Sequence, residues 1–250
     1  MLFRSGYGQL EDNYFQSSVI DFDKDRSDRS TYKLLGGSIG FYGSTLNTRQ
    51  YATKGYLEKL IAQVFTGRER FEPGNPQEGY SPSPQERQSW LQISYMKEAY
   101  HTMGPKFTLG WMAEALYSSK NFSENYTATM MQAGEFAPTP HSKLMYNEAF
   151  RANQYVAAGI KPIYVLNDMF QFRTEFYGFT PIFPIKKNAL NKAYYGKAFS
   201  RFEYMGEVSV ICHLPFGAIS AYVNHYSSPR REWNVGMTIG WQLFNYRFVE

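Results

Sequence analysis

The sequence predicts an all-β fold in which antiparallel strands cross a membrane as a β-barrel. Aromatic residues make up 18% of the chain, yet the mean hydropathy is only −0.47, so apolar and polar side chains are finely interleaved. Several segments alternate between apolar and polar residues with a period of two, as a strand with two different faces does. No segment approaches the ~18 uninterrupted apolar residues of a transmembrane helix. A wall between lipid and water accounts for all three observations.

Ten strands are predicted along the chain, and the last of them is the clearest. Between Trp233 and Leu243 every odd position is apolar, and every even position is small or polar. The same alternation occurs in Phe107–Tyr117, Phe170–Phe176 and Glu203–Leu214. β-Branched and aromatic residues indicate the remaining strands, which are Phe3–Leu10 as a partial strand, Tyr32–Thr45, Tyr56–Arg70, Ser89–Tyr100, Gln154–Leu166 and Ala218–Tyr226.

The links between the predicted strands alternate in length. The shorter links are 46–55, 101–106, 167–169 and 215–217, and the first of them is the longest of this set. The longer set is 11–31, 71–88, 118–153, 181–198 and 227–232. Outer-membrane barrels have short periplasmic turns and long extracellular loops, whereas a β-sandwich has no reason to sort its links by length. The alternation therefore predicts a chain in the bacterial outer membrane, with its C-terminus in the periplasm.

The predicted strands divide the chain into two parts. Residues 1–30 are expected to form a partial strand and an extracellular loop, and residues 31–250 the C-terminal portion of a barrel. The long extracellular loop at 118–153 is either functional or disordered. Because lipid cannot satisfy the bare edges of an open sheet, either ten strands close into a small barrel or further strands precede them. The first six residues lack the apolar region of a signal peptide, so we expect an N-terminally truncated fragment.

Four charged residues fall on the polar phase of two neighbouring predicted strands: Arg173, Glu175, Glu203 and Glu207. A charge that faces lipid in the middle of the membrane costs ~2–4 kcal/mol. We therefore expect these side chains to face the lumen of the barrel, where they pair with each other. A structural network of this kind is favoured over catalysis.

Other features of the sequence give no sign of chemistry within this chain. Gly36–Gly40 matches G-x-S-x-G, but strand-like residues follow it where a nucleophile elbow needs a helix. The four histidines have no metal-ligand spacing, and Cys212 is the single cysteine, so no metal or cofactor is predicted. The net charge of +4 is modest and dispersed, which argues against a nucleic-acid partner. We therefore predict that this chain contains no catalytic residue. We predict that its partners are lipids of the outer membrane.

Three stretches resemble the surface-antigen barrels, the family that includes BamA and TamA. Ser44–Gly55 is similar to a periplasmic turn of that family. Its long sixth extracellular loop has an (I/V)-R-G-(F/Y) tip, and the residues at the similar place here are Phe150, Arg151, Ala152 and Asn153. The aromatic C-terminal strand resembles the signal that the outer-membrane assembly machinery reads, which implies that machinery as a partner. The residues of this candidate signal are Trp241, Phe244, Tyr246 and Phe248.

Further runs are similar to one subfamily, the patatin-like phospholipases with a C-terminal barrel. These runs are Asn147–Gln154, Glu175–Phe179, Phe202–Glu207 and Leu214–Phe216. The resemblance implies about ten strands of a barrel of about sixteen, which anchors or delivers a lipid acyl hydrolase domain that lies upstream. This chain itself would not be an enzyme. Two alternatives stay open: an assembly or translocation factor of the BamA/TamA kind, and a self-contained small porin or adhesin.

The resemblance also implies a role for Arg151. The tip arginine of the family folds back into the barrel and contacts acidic groups on the inner face of its strands. The candidate acceptors in this chain are Glu175, Glu203 and Glu207, and the alternative is a solvated loop arginine. The tip departs from the family pattern, because Asn153 replaces the aromatic residue.

Overall fold

The computed structural model describes residues 2–16, 21, 25–75, 87–215, 217–228 and 233–240. Strands dominate this part of the chain. They are β1 (Leu2–Tyr14), β2 (Asp28–Ser44), β3 (Gly55–Glu72), β4 (Arg87–Thr102), β5 (Phe107–Ser118), β6 (Gly134–Glu135), β7 (Arg151–Ala152), β8 (Gln154–Val165), β9 (Phe170–Pro181), β10 (Ile185–Lys187), β11 (Ala193–Tyr195), β12 (Glu203–Leu214), β13 (Gly217–Tyr226) and β14 (Trp233–Gly240). One α-helix, α1, spans Tyr126–Gln132, and two 3₁₀ turns span Ser142–Leu144 and Glu148–Phe150. No helix in the described ranges is long and apolar enough to cross a membrane.

Ten of the strands form one antiparallel sheet in the order β1-β2-β3-β4-β5-β8-β9-β12-β13-β14. Each long strand pairs with the next long strand along the chain, which is the pattern of consecutive hairpins. β1 and β14 each pair with one strand among the described residues. Two small sheets, β10–β11 and β6–β7, lie within the longer links. The prediction of ten antiparallel strands is confirmed.

The strand boundaries are close to the predicted ones except where β2 begins, at Asp28 instead of Tyr32, and where β1 ends. This strand runs to Tyr14 instead of ending near Leu10, and its last residues pair with the first residues of β2, Asp28 and Arg29. The sequence offers no alternation of apolar residues there, so the pairing was missed. The links at 45–54, 103–106 and 166–169 are short, whereas 119–153 and 182–202 are long.

The turn between β2 and β3 is held by Asn47. Its Oδ1 accepts hydrogen bonds from the backbone N–H groups of Thr53, at 3.0 Å, and Lys54, at 3.1 Å. Gly55 then enters β3 with φ +89°, and a Cβ there would lie 2.2 Å from the carbonyl oxygen of Thr45. Only glycine fits this position. The hydrogen bonds of Asn47 and the conformation of Gly55 thus fix the hairpin. The turn places Tyr51 where its hydroxyl group reaches Ser220 of β13, at 2.9 Å.

The two faces of the sheet differ in what they expose. We call concave the face against which the segment 119–153 lies, and outward the opposite face. Alternate residues of β9 are exposed apolar or buried polar: Phe170, Phe172 and Phe176 are 39–54% exposed, whereas Gln171 and Arg173 are 3% and 2% exposed. β12 follows a similar alternation, and on β14 exposed apolar residues alternate with partly exposed small or polar ones. Because side chains of a strand alternate between its faces, large apolar groups cover the outward face, and the buried polar groups lie on the concave face beside buried apolar ones such as Phe179.

Candidate functional site

The segment 119–153 is ordered and packs against the concave face, contacting strands from both ends of the sheet order. Near β1, Asn125 Nδ2 donates a hydrogen bond to Tyr14 Oη at 2.8 Å. Near β12, His141 Nδ1 lies 2.8 Å from Glu207 Oε1. Because β1 and β12 are separated by six strands of the sheet, the sheet curves around the segment. The filled concave face is therefore the candidate functional site.

Aromatic rings join the segment to the middle of the sheet. Phe136 stacks on Phe179 at a centroid distance of 5.9 Å and meets Tyr177 edge-on at 6.1 Å. Phe150 contacts Phe179 at 5.6 Å and Tyr226 at 5.9 Å. Such pairs add about 0.5–1.5 kcal/mol each to the free energy gained by burial. Phe136 and Phe150, each 1% exposed, thus anchor the segment in the sheet.

Buried charges lie on the concave face between the aromatic cluster and the turn at Tyr51. Lys161 Nζ is 2.8 Å from Glu98 Oε1, and Arg173 Nη2 is 2.8 Å from Glu175 Oε1. Arg173 Nη1 also donates to the carbonyl oxygen of Ala52, at 2.9 Å. Burying a cation requires partners of this kind for its donors. The network ties β4, β8, β9 and the β2–β3 turn together.

The structure places all four predicted lumen residues on the concave face. Arg173, Glu175, Glu203 and Glu207 are 2%, 5%, 8% and 4% exposed. β9 and β12 are paired, and Glu175 lies directly opposite Glu207 in their register. The ion pair that forms, however, joins Arg173 and Glu175 of the same strand. Glu203 and Glu207 have separate partners, since Glu203 accepts a hydrogen bond from Ser227 Oγ at 2.5 Å and Glu207 contacts His141.

Arg151 contacts its own segment instead of the predicted acceptors Glu175, Glu203 and Glu207. Its Nη2 donates to Glu135 Oε2 at 2.7 Å. Its Nη1 donates to backbone carbonyls around the C-terminus of α1, and the acceptors are Met130 (3.3 Å), Met131 (2.9 Å) and Ala133 (3.1 Å). The last carbonyls of a helix lack intrahelical donors, so the guanidinium group satisfies them while it neutralises Glu135. Of the four tip residues, Phe150, Ala152 and Asn153 are buried.

Arg151→Ala should release the segment 119–153 locally without unfolding the sheet. We expect a loss of about 1.5–2 kcal/mol, because the Glu135 carboxylate and three carbonyls lose their donor at a half-buried position. Limited proteolysis between α1 and β7 measures the local release, and urea unfolding measures the stability of the sheet. Arg151→Lys should restore only part of the protection, since lysine lacks the planar fork. Arg49→Ala, in the exposed β2–β3 turn, is the control; equal proteolysis of both alanine variants would contradict the assigned role.

His141, Glu207 and Ser220 lie in the order that serine hydrolases use, but they do not form an accessible nucleophile. His141 Nε2 is 3.3 Å from Ser220 Oγ, on the side of the ring opposite to Glu207. The Ser220 hydroxyl is also 2.9 Å from Tyr51 Oη and 2.6 Å from Thr238 Oγ1, and Ser220 is 1% exposed. A serine nucleophile needs room for a substrate and donors for an oxyanion. The cluster instead joins the segment and the turn to β13.

Lys120 lies just beyond β5, where the segment begins. Its ammonium group lies 5.2 Å from the ring centroid of Tyr32 and 5.0 Å from that of Trp90. Burial lowers the pKa of Lys120 to about 8, although the nearby Glu69 carboxylate acts in the opposite direction. Cation–π contacts with two rings stabilise its charged form, which links β2 and β4 to the start of the segment.

Several residues of the site had no distinct signal in the sequence. Phe136 and His141 are ordinary members of a long link, and nothing nearby marks them as buried. Lys161 had a weak signal, because it is the single charged residue of β8. The G-x-S-x-G match at Gly36–Gly40 lies in the middle of β2, without the helix that a nucleophile elbow requires.

The predicted C-terminal assembly signal, Trp241, Phe244, Tyr246 and Phe248, lies outside the described residues. Within the described ranges no group of His, Cys, Asp or Glu side chains is arranged to hold a metal ion. Comparison of the chain with protein-family models, with curated proteins and with solved structures finds no match.

Proposed function

We propose that this chain is part of the wall of an outer-membrane β-barrel and anchors a patatin-like lipid acyl hydrolase at that membrane. The supporting observation is the separation of charge between the two faces of the sheet. The described outward positions of β5, β8, β9, β12, β13 and β14 carry no Asp, Glu, Lys or Arg. The charged residues of these strands all occupy concave positions, and they are Glu114, Lys161, Arg173, Glu175, Glu203 and Glu207.

This separation is the reverse of what water-soluble sheets have. An antiparallel sheet with one solvated face places polar residues on that face and apolar residues on the other. Lipid excludes charges from the face that it touches, at a cost of ~2–4 kcal/mol per charge near the midplane. The exposed side chains at Val208, Val210, Val235 and Met237 are therefore best explained by contact with hydrocarbon.

The height of the outward uncharged zone also fits a bilayer. On β3 and β4 the zone ends at the ion pair between Glu58 and Lys97 (3.7 Å) on one side, and at Arg68 and Arg87 on the other. Each strand spans ten residues between these limits. At a rise of ~3.3 Å per residue and a tilt of ~40°, ten residues cover about 25 Å of membrane thickness, which is the height of the apolar band of such barrels.

The filled concave face supports an anchoring role over solute passage. A porin needs a water-filled channel, whereas the rings of Phe136, Phe150 and Tyr155 occupy the space against the middle of the sheet. The link to a patatin-like hydrolase rests on the resemblance of the sequence runs such as Asn147–Gln154. An assembly or translocation factor of the BamA/TamA kind stays the second candidate, since the turn Ser44–Gly55 and the inward-folded segment suit both. A hydrolase domain encoded upstream favours the first candidate, and periplasmic repeats alone favour the second.

Site-directed spin labelling of the full chain in lipid bilayers tests the wall assignment. In a Cys212→Ser background, single cysteines at Val208, Ser209 and Val210 carry the label. We expect high collision with oxygen and low collision with a water-soluble nickel complex at the two valine positions, because oxygen concentrates in hydrocarbon. The label at Ser209 should be immobile, since that residue is 2% exposed. Free access of the nickel complex to the valine positions would contradict contact with lipid.

A further inference from the structure

Three exposed cations form a single row across β2, β3 and β4. In the register of the sheet, Lys33 lies opposite Arg68, and Arg68 lies opposite Arg87. All three occupy outward positions and are exposed. Neighbouring strands are about 5 Å apart, and like charges directly opposite each other destabilise a sheet. We call these three residues the cationic row. Because their like charges repel each other, an anion bound between them would stabilise this part of the sheet.

The described residues do not supply that anion. The nearest carboxylates on the outward face are engaged elsewhere, because Glu11 pairs with Arg29 at 3.3 Å and Glu72 pairs with Arg70 at 2.7 Å. No carboxylate of the described ranges forms an ion pair with the cationic row. The Nε of Arg87 donates to Thr66 Oγ1 at 3.0 Å, which fixes the side chain, and no acceptor of the described ranges contacts its two terminal nitrogens.

The position of the row makes the acceptor a lipid headgroup. The cationic row borders the uncharged outward zone, whose nearest apolar members are Leu35, Val64 and Leu91. It lies toward the ends of the strands that join the long links 15–27 and 73–86, which the alternation of link lengths predicts to face the cell exterior. At the opposite border the outward charges neutralise each other. Among the described outward positions of the strands, unpaired positive charge is thus concentrated on one side of the zone, at the depth where phosphates of the outer leaflet would lie.

We infer that Lys33, Arg68 and Arg87 bind the phosphate groups of the outer-leaflet glycolipid, the lipid A of the bacterial outer membrane. Guanidinium groups offer paired donors that match phosphate oxygens, and lysine adds a point charge. The apolar residues below the row would meet the acyl chains of the same lipid. This inference rests on the proposed location of the chain in the outer membrane.

Binding of bisphosphorylated lipid A to the full chain in a zwitterionic detergent tests the inference. The variant Lys33→Gln/Arg68→Gln/Arg87→Gln should bind about 100-fold more weakly at low salt, since each cation near an anionic lipid surface contributes about fivefold. Lipid A without its phosphates should bind the wild-type chain and the variant equally. The control Arg49→Gln/Lys54→Gln/Lys106→Gln removes the same charge from exposed turns at the other end of the strands, and it should keep wild-type affinity.

The outcomes separate this inference from the proposed function. A cationic-row variant that inserts into bilayers and binds lipid A as tightly as the control overturns the inference alone. Equal weakening by both triple variants also overturns it, because binding would then follow net charge and not the row. A chain whose outward labels contact water overturns the proposed function, whatever its affinity for lipid A.

Discussion

Arg173→Met should lower the free energy of unfolding by about 3–5 kcal/mol, because it leaves a buried carboxylate without its main counterion. The guanidinium group is 2% exposed and donates to Glu175, Ala52 and, at 3.4 Å, Tyr100. All three partner residues are buried, Glu175 and Tyr100 in the sheet and Ala52 in the β2–β3 turn, so water cannot replace the lost donor. Urea unfolding in detergent micelles, followed by tryptophan fluorescence, measures the change.

A double-mutant cycle separates the ion pair from the packing of the arginine side chain. Glu175→Gln alone should also destabilise, since it leaves the arginine unpaired. Arg173→Met/Glu175→Gln should unfold at higher urea than Arg173→Met, because a buried ion pair replaced by neutral groups is often tolerated. Lys106→Met, at an exposed turn, is the matched loss of a cation and should stay within about 0.5 kcal/mol of wild type. Additive losses in the double variant would exclude the coupling.

The strands could be predicted because apolar and polar residues alternate along them, which distinguishes the two faces of each strand. β12 has the predicted limits, Glu203–Leu214, since four polar residues, Glu203, Glu207, Ser209 and His213, occupy one phase of the strand and none occupies the other. A shift of one residue would turn Glu203 and Glu207 to the outward face, so pattern and register support each other. The end of β1 has no such contrast. Its residues Glu11–Asn13 are all polar, and they are strand because β2 extends beside them.

The contacts of the segment 119–153 were not predictable in the same way. The arginine of the tip could be named from a resemblance, but its acceptor Glu135 is a link residue without a periodic pattern. Likewise, His141 contacts Glu207 across 66 positions of sequence. Such contacts depend on how a long link folds over a curved sheet, and local alternation carries no information about that path. The sequence therefore predicts the strands of the sheet, but not the contacts of the segment 119–153 that packs against its concave face.

Val208→Arg should lower the free energy of unfolding by about 2–4 kcal/mol in lipid or detergent, because Val208 lies outward near the middle of β12. Tyr204→Arg changes the same face of the same strand, but near the end that follows the long link 182–202. Its cost should be only about 0–1 kcal/mol, since a charge near the interface can reach water. Heat-modifiable mobility and urea unfolding of the two variants measure the difference.

This pair of variants is decisive because the two environments predict opposite results at an exposed valine. Val208 is 41% exposed, and on a water-soluble sheet a substitution at such a surface position typically changes stability by less than about 0.5 kcal/mol. Arginine would then be tolerated at both positions, and the difference between Val208→Arg and Tyr204→Arg would vanish. In a bilayer, Val208→Arg should destabilise the chain more than Tyr204→Arg does. The loss of stability should become smaller as the arginine is placed nearer to either end of the strand. Val208→Leu, which keeps the surface apolar, should leave stability unchanged and so exclude a steric cause.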